Sequence, residues 1–216
     1  VTMIGDCAFC ECRYLEKVKI AGSVKSIGKS AFQDCSNLTV LELGNGIKLI
    51  DSYAFSDCSS LVNFDLPPSL VKIGAKAFKD CESIDTIVIP SKVVEIGPDA
   101  FRNCSDLVNV VLPESLVYIQ NGTFQGCFSL KSITIPNGVV SIGSWVFAGC
   151  DNLEKVILPD SLDSFSMDSH AFDTCSKLQT IEIPANWEMD LNNLPFDKKI
   201  IKRRETFKEM DKMQIF

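Results

Sequence analysis

The chain contains 216 residues, of which 46% are hydrophobic, and its formal net charge at pH 7 is −7. It has no apolar run of about 18 residues, which excludes a transmembrane helix. The acidic balance argues against nucleic acid as the principal ligand, because surfaces that bind nucleic acid carry an excess of Lys and Arg.

The first residues already belong to a repeated pattern. Val1 to Gly5 fit the repeat and do not resemble a signal peptide, so we expect a fragment or mature piece with repeats or targeting signals upstream.

A phenylalanine then recurs every 23 residues, followed three residues later by a cysteine; the phenylalanines are Phe9, Phe32, Phe55, Phe78, Phe101, Phe124 and Phe147, with an eighth at Phe172. A fixed period in this range predicts a stacked solenoid, in which the phenylalanine rings stack on one another as a spine.

Each unit contains a short strand pattern that a proline usually follows. The pattern L-x-x-L-x-L, as in Leu38-x-x-Leu41-x-Leu43, alternates apolar and other residues at its end and predicts a half-buried strand. Proline ends the strand because it has no N–H for the ladder; it stands at Pro67, Pro90, Pro113, Pro136, Pro159 and Pro184. The Ala-Phe-x-x-Cys segment is predicted to form a short helical turn that returns the chain.

Runs of the form I-G-x-x-A-F-x-x-C-x-x-L-x-x-I-x-I-P, such as Ile73-Gly74 through Pro90, resemble the BspA-like, or Treponema pallidum-type, class of leucine-rich repeats. The resemblance covers residues 4–187. It departs from the commoner leucine-rich consensus, because proline follows the strand and an asparagine ladder is missing. The resemblance implies surface-exposed proteins of bacteria and some parasitic protists that act in adhesion and host-protein binding.

We therefore predict an α/β repeat solenoid, a leucine-rich-repeat superhelix of about eight 23-residue units. A parallel β-sheet would form one face and short helical turns the other.

The solenoid comprises residues 1–194, with a net charge of −10, and residues 195–216, with a net charge of +3, form a capping segment. Phe196, Ile200, Phe207 and Met210 recur near helical spacing, which favours a helix over the open end of the last repeat. Binding of an anionic surface by this basic segment is the alternative.

Ten cysteines are present, and eight of them belong to the repeat. We predict that these eight form a buried column of reduced, structural thiols, although stacking would bring neighbours within reach of a disulfide. Cys7 and Cys10 align with polar positions of later repeats and should be exposed. With Cys12 they superficially resemble half of a zinc site, but no second Cys or His cluster accompanies them. We predict no metal and no cofactor.

A catalytic constellation is absent from the sequence. His170 is the single histidine, and it lies where the repeat lengthens through Ser166 to Ser169. No serine partner, Gly-rich phosphate loop or repeated carboxylate pair accompanies it, so we predict an exposed loop histidine and no enzyme activity.

The outward residues of the predicted sheet vary freely between repeats, whereas the core positions scarcely change. Val88, Val111 and Ile157 form an apolar strip around Thr134, bordered by polar residues and with charges toward both ends. Such a strip is typical of a partner site, although β-propensity alone also favours Val, Ile and Thr in strands. The predicted partner-binding residues are Asn63, Asp65, Thr86, Val88, Asn109, Val111, Ser132, Thr134, Lys155 and Ile157.

The leading interpretation is a non-enzymatic, monomeric protein-binding or adhesion module directed at a host or matrix protein. Following the resemblance, we expect a cell-surface or secreted location. The alternative is an intracellular, cytoplasmic protein-interaction scaffold of the same fold, which agrees with reduced thiols.

Overall fold

The structure is a computed structural model that describes residues 1–162, 166–184 and 197–204. Each repeat makes one coil of a solenoid, and strands of successive coils pair in parallel. In chain order the strands are β1 (Met3–Ile4), β2 (Lys17–Lys19), β3 (Ser26–Ile27), β4 (Val40–Glu42), β5 (Leu49–Ile50), β6 (Lys72–Ile73), β7 (Thr86–Val88), β8 (Glu95–Ile96), β9 (Asn109–Val111), β10 (Tyr118–Ile119), β11 (Ser132–Thr134), β12 (Ser141–Ile142), β13 (Lys155–Ile157), β14 (Thr180–Ile183) and β15 (Ile201–Arg203).

The predicted strands form the first set of parallel pairings. β2 pairs with β4, β7 pairs with β9, and β11, β13, β14 and β15 follow one another in a four-stranded sheet. We call these strands together the first sheet. In β4, β7, β11 and β13 the central residue is buried, as Leu41 and Ile87 are, and the flanking residues are more exposed.

A second row of strands runs along the solenoid and was not predicted. β1, β3, β5, β6 and β8 form one five-stranded parallel sheet, and β10 pairs with β12. Each of these strands has two residues, and a bridge from Ile142 to Met167 extends the row. The coil is therefore closed by sheet on two sides, which we call the first and the second sheet.

The Ala-Phe-x-x-Cys segments are not helical, and the prediction of helical turns is wrong: no α-helix occurs in the described residues. In the first seven coils, the residues two before and two after the phenylalanine have positive φ, as Lys76 (57°) and Asp80 (58°) do around Phe78. A left-handed residue ends an α-helix rather than continuing it.

The hydrogen bonds of these segments explain why the left-handed residues are held in place. The amides of Lys76, Phe78 and Asp80 donate to carbonyl oxygens of the next coil over 2.8 to 2.9 Å. The amides between them, of Ala77 and Lys79, donate to the carbonyl three residues earlier. Tandem turns therefore form a third intercoil ladder, and this ladder satisfies the backbone where a helix was predicted.

A phenylalanine stack runs through the core and confirms the predicted spine. Neighbouring rings from Phe9 to Phe172 have centroids 5.0 to 5.8 Å apart and planes within 15° of parallel. Phe101 is fully buried, whereas Phe9 in the first coil is 43% exposed. Rings in this offset-parallel arrangement bury large apolar areas on both faces, so each coil depends on its neighbours.

The repeat cysteines lie beside this stack and are free thiols. The Sγ atom of each one from the second coil onward donates to the carbonyl oxygen of the preceding coil's phenylalanine, over 3.1 to 3.3 Å. Burial raises the pKa of the Cys35 thiol to about 11 and that of the Cys175 thiol to about 12. The column is therefore built from protonated thiols that act as weak hydrogen-bond donors.

The described part of the capping segment continues the solenoid. Residues Lys198–Ile200 form a 3-10 turn, and β15 pairs in parallel with β14. The Arg204 guanidinium donates to the Leu158 carbonyl oxygen at 3.1 Å and also pairs with Asp160. Residues 195, 196 and 205–216 lie outside the described residues, so the boundary at 194 and the helical cap stay predictions.

Candidate partner-binding face

The outward residues of the first sheet form two columns. Its register sets Thr86 beside Asn109 and Val88 beside Val111. The same columns continue with Ser132 beside Lys155 and Thr134 beside Ile157. Of the ten predicted binding residues, Thr86, Lys155 and Ile157 are half-buried and the other seven are exposed.

The middle of this face is apolar and open to solvent. Val88 is 56% exposed and Val111 is 53% exposed, although both belong to regular strands. Their exposed side chains form a continuous patch, because the two residues are paired across neighbouring coils. Thr134 extends the column on one side, so the patch has a polar border.

Ion pairs close the two ends of this face. Lys19 Nζ lies 2.6 Å from a Glu42 carboxylate oxygen near the first coil. Lys155 Nζ lies 2.6 Å from a Glu182 carboxylate oxygen toward the last coil. These exposed or half-exposed pairs contribute little stability, but they neutralise the charges of Lys19, Glu42, Lys155 and Glu182 at the two ends of the face.

The third coil interrupts the first sheet. Asn63 and Asp65 were predicted to lie in a strand, but residues 61–67 form none. Phe64 occupies the inward position that Leu41 and Ile87 hold in the neighbouring coils, and its ring stacks on Phe78 with centroids 5.3 Å apart. A larger inward side chain displaces the backbone from the ladder, because a packed core has no spare volume.

Clefts open where the ladder is interrupted. One of about 400 Å³ lies between β4 and residues 62–65, and one of about 700 Å³ lies between residues 63–66 and β7. A third, of about 460 Å³, separates β9 from β11, which do not pair. The candidate face is therefore grooved, and all ten predicted residues except Lys155 and Ile157 line one of these clefts.

A second exposed apolar row was missed in the sequence. Val71, Val94, Val117 and Val140 each precede a strand of the second sheet and are 38 to 55% exposed. The amide of Val94 donates to the Val71 carbonyl oxygen at 3.0 Å, so the row is stacked coil on coil. Valine at a spacing of 23 residues was the available signal.

His170 is exposed, as predicted, and contacts two neighbours. Its Nδ1 lies 2.9 Å from a carboxylate oxygen of Asp173, and its ring stacks on Trp145 with centroids 6.0 Å apart. Within residues 1–162, 166–184 and 197–204, no nucleophilic side chain hydrogen-bonds to this imidazole. The arrangement offers an ordered aromatic surface and not a nucleophile paired with a base.

The cysteines of the first coil do not assemble a metal site. Cys7 and Cys12 are exposed and Cys10 is half-buried. Among the described residues, no group of three or more His, Cys, Asp or Glu side chains is placed to hold a metal ion. The same part of the chain contains no helix with the length and apolar character needed to cross a membrane.

Comparison with known proteins gives a consistent picture. The family model described as BspA type leucine rich repeat region matches residues 1–108 and 94–205, in six copies. The chain is similar to the crystal structure of a T. pallidum leucine-rich repeat protein, with 38% sequence identity, a TM-score of 0.68 and coverage of 71% of this chain and 72% of that one.

A second solved structure is a leucine-rich repeat protein from Bacteroides ovatus. Its sequence identity is 25% and its TM-score 0.63, and the match covers 94% of this chain and 78% of that one. A search of curated proteins gave no match.

Proposed function

This chain belongs to the BspA type of leucine-rich repeat proteins, and from that premise we propose that it is a non-enzymatic module that binds a host or matrix protein through its first sheet. Leucine-rich repeats are generally protein-interaction scaffolds, which supports a protein-binding role for this chain. The binding residues, the adhesive role and a cell-surface location are our inference from the face and the family.

The observation that carries the proposal is the exposed patch at Val88 and Val111. Two valines, each more than half exposed and paired with each other across β7 and β9, cost solvation free energy that a partner would recover on burial. The polar border and the ion-paired ends match the usual anatomy of an interface, with an apolar centre and a polar rim. The adjoining clefts provide shape for a partner's side chains.

The test compares two matched pairs of substitutions. Val88→Lys with Val111→Glu places charges at the centre of the proposed interface. Val94→Lys with Val117→Glu makes the same changes in the same coils, at valines that are 55% and 38% exposed beside the second sheet. Both double variants should fold, because exposed substitutions usually change stability by about 0.5 kcal/mol or less.

The readout is binding to a panel of purified extracellular matrix proteins and host-cell surface proteins, measured by biolayer interferometry. We expect the first pair to abolish binding, because the apolar contact is lost and burial of the introduced Lys and Glu in an interface carries a desolvation cost that their mutual attraction does not repay. The second pair should leave binding intact. The opposite result would move the site to the valine row beside the second sheet.

A second candidate, an intracellular scaffold, is supported by the cysteine column. Seven thiols donate hydrogen bonds to phenylalanine carbonyls, a role that a disulfide would end. Reduced thiols persist most readily in a reducing compartment. Thiol titration of protein purified from its natural source, in native and denatured form, separates the candidates: fewer than ten free thiols after denaturation would favour an oxidising location.

A further inference from the structure

The interrupted third coil leaves main-chain groups without the partners that the equivalent groups of the first, fourth, sixth and seventh coils have. Ile20 and Ile89 each donate their amide to the next coil, over 2.8 and 2.9 Å. The equivalent amides of Leu43 and Leu66 donate to no group in the described part of the chain. Residues 62–66 take part in no backbone hydrogen bond there, in contrast to the matching residues of the fourth coil.

The Asn63 side chain replaces one of the missing main-chain acceptors and thereby leaves the carbonyl of residue 62 without a donor. In the fifth coil, the amides of Val108 and Asn109 both donate to the Asp85 carbonyl oxygen, at 2.8 and 3.2 Å. The equivalent amides of the fourth coil, of Asp85 and Thr86, instead donate to the Asn63 side-chain oxygen at 3.4 and 3.3 Å. The carbonyl of residue 62 is therefore left without its usual donors.

These free groups line the two clefts beside the segment. Leu43 and residue 62 border the cleft of about 400 Å³, and Leu66 borders the cleft of about 700 Å³. An extended peptide satisfies free donors and acceptors of this kind with its own main chain, as in the binding of a strand to an open sheet edge. Both clefts are large enough to receive side chains.

The charge of the segment points to the side chain that the peptide carries. Glu42 and Glu182, the other carboxylates of the same outward column, have lysine partners at 2.6 Å. Asp65 is exposed and has no ion-pair partner among the described residues. It borders both clefts, and Val88 lines the larger one beside it.

We propose that the interrupted third coil binds an extended peptide segment of the partner protein. The segment carries an arginine or lysine, and the Asp65 carboxylate accepts hydrogen bonds from its cationic group. The aliphatic stem of that side chain packs on Val88, while the charged end reaches the carboxylate. Phe64 is the residue that creates the site, because it keeps the segment out of the ladder. This inference rests on the proposed function and names the chemistry that the partner presents at the same face.

Selection of peptides tests the proposal without knowledge of the partner. A phage-displayed library of random twelve-residue peptides is panned on the wild type and on Asp65→Asn, Phe64→Leu and Glu42→Gln. We expect Arg and Lys to be enriched in the peptides that the wild type and Glu42→Gln select. Asp65→Asn should lose this enrichment, and Phe64→Leu, which restores an aliphatic inward residue and closes the clefts, should select no peptides above background.

A charge-neutral analogue then measures the contribution of the cation. The best wild-type peptide is compared, by fluorescence anisotropy, with the same peptide carrying citrulline in place of arginine, or norleucine in place of lysine. We expect the neutral peptide to bind the wild type about tenfold more weakly or worse, and to bind Asp65→Asn as well as the charged one does. Circular dichroism melts confirm that the variants are folded; should Phe64→Leu not fold, Asp65→Asn supplies the same test.

Several results would overturn the inference. They are selection of no peptide, selection without basic residues, equal binding of charged and neutral peptides, or binding on a glycan array in place of peptides. The experiment also separates this inference from the proposed function. Partner binding that is lost in the Val88 and Val111 pair but unchanged in Asp65→Asn would refute only the peptide site, whereas binding unchanged in both would refute the proposed function.

Discussion

The Cys104 thiol donates a hydrogen bond to the Phe78 carbonyl oxygen at 3.3 Å, which ties the side chain of one coil to the backbone of the coil before it. The same oxygen accepts the Cys81 amide, also at 3.3 Å. The thiol must keep its proton to donate. Burial raises the pKa of Cys104 well above its ordinary value, so the folded protein keeps this proton over a wide range of pH.

We expect stability to fall as the pH rises above about 9, the ordinary thiol value. The unfolded chain releases thiol protons there, while the folded protein retains them, so the free energy of the unfolded state falls relative to that of the folded state. The contribution of each buried thiol is complete below the unfolded pKa and is lost as the pH approaches the folded one, which is about 11 for Cys35. Urea unfolding at several pH values between roughly 8 and 10.5 measures how the free energy of unfolding declines with pH.

The variant Cys104→Ala isolates one thiol. Above the ordinary thiol pKa, the free energy of unfolding of this variant should decline less steeply than that of the wild type, by about 1.4 kcal/mol per pH unit, the value for one proton. Ser91→Ala, an exposed substitution that removes no thiol, is the control and should keep the wild-type slope. Equal slopes in all three proteins would contradict the burial of a protonated thiol.

Truncation of the phenylalanine stack should depend strongly on position. Phe101→Ala should destabilise the protein by about 3–5 kcal/mol, because the ring is fully buried between two others. Phe9→Ala should cost less, since Phe9 is partly exposed and has one stacking neighbour. Phe128→Ala, an exposed ring outside the stack, is the control. Similar urea midpoints for Phe101→Ala and Phe128→Ala would argue against a continuous stack.

Gly149→Ala distinguishes tandem turns from helical turns by the sign of its effect. Gly149 has a φ of +75°, and an added Cβ would meet its nearest neighbour at an ordinary 3.6 Å. A left-handed alanine costs about 1–2 kcal/mol, whereas alanine in a helix would stabilise by about 1 kcal/mol. We expect destabilisation in thermal melts, and a smaller loss for Gly149→Asn, because asparagine tolerates this conformation.

Removal of the last strand should promote self-association. A truncation of residues 195–216 removes β15 and leaves β14 as an open edge with Ile181 at its centre. Open edges pair with other chains, so light scattering should increase with protein concentration. A shorter truncation of residues 205–216 keeps β15 and is the matched comparison. If the protein that lacks only residues 205–216 associates as strongly as the protein that lacks residues 195–216, the capping role belongs to residues 205–216.

The buried spine was predictable because every coil offers the same environment at the same position. Phe78 and Cys81 recur at a strict spacing, so periodicity alone identified the columns that the structure contains. The second sheet escaped prediction because strands of two residues, such as Ser26–Ile27, are too short to produce an alternation that stands out.

The turns were misassigned because their conformation is imposed by neighbouring coils. Lys76 and Asp80 do not break helices locally, yet both are left-handed, since their amides are used by the intercoil ladder. Glycines at the matching positions, Gly122 and Gly126, were the available signal. The interruption of the first sheet had a signal too: Phe64 is the one aromatic residue in a column of aliphatic ones.

The missing ladder of the third coil also has a mechanical meaning. Ladder bonds between coils run along the axis of a solenoid, so a pulling force on its two ends loads every junction in series. The junctions beside residues 62–66 resist with the pairing of β5, β6 and β8, the turn ladder and the aromatic stack, and without the first sheet. Under tension the protein is expected to part first at one of these junctions or between β9 and β11, which also do not pair, and the weakest of them sets the load that the solenoid can bear.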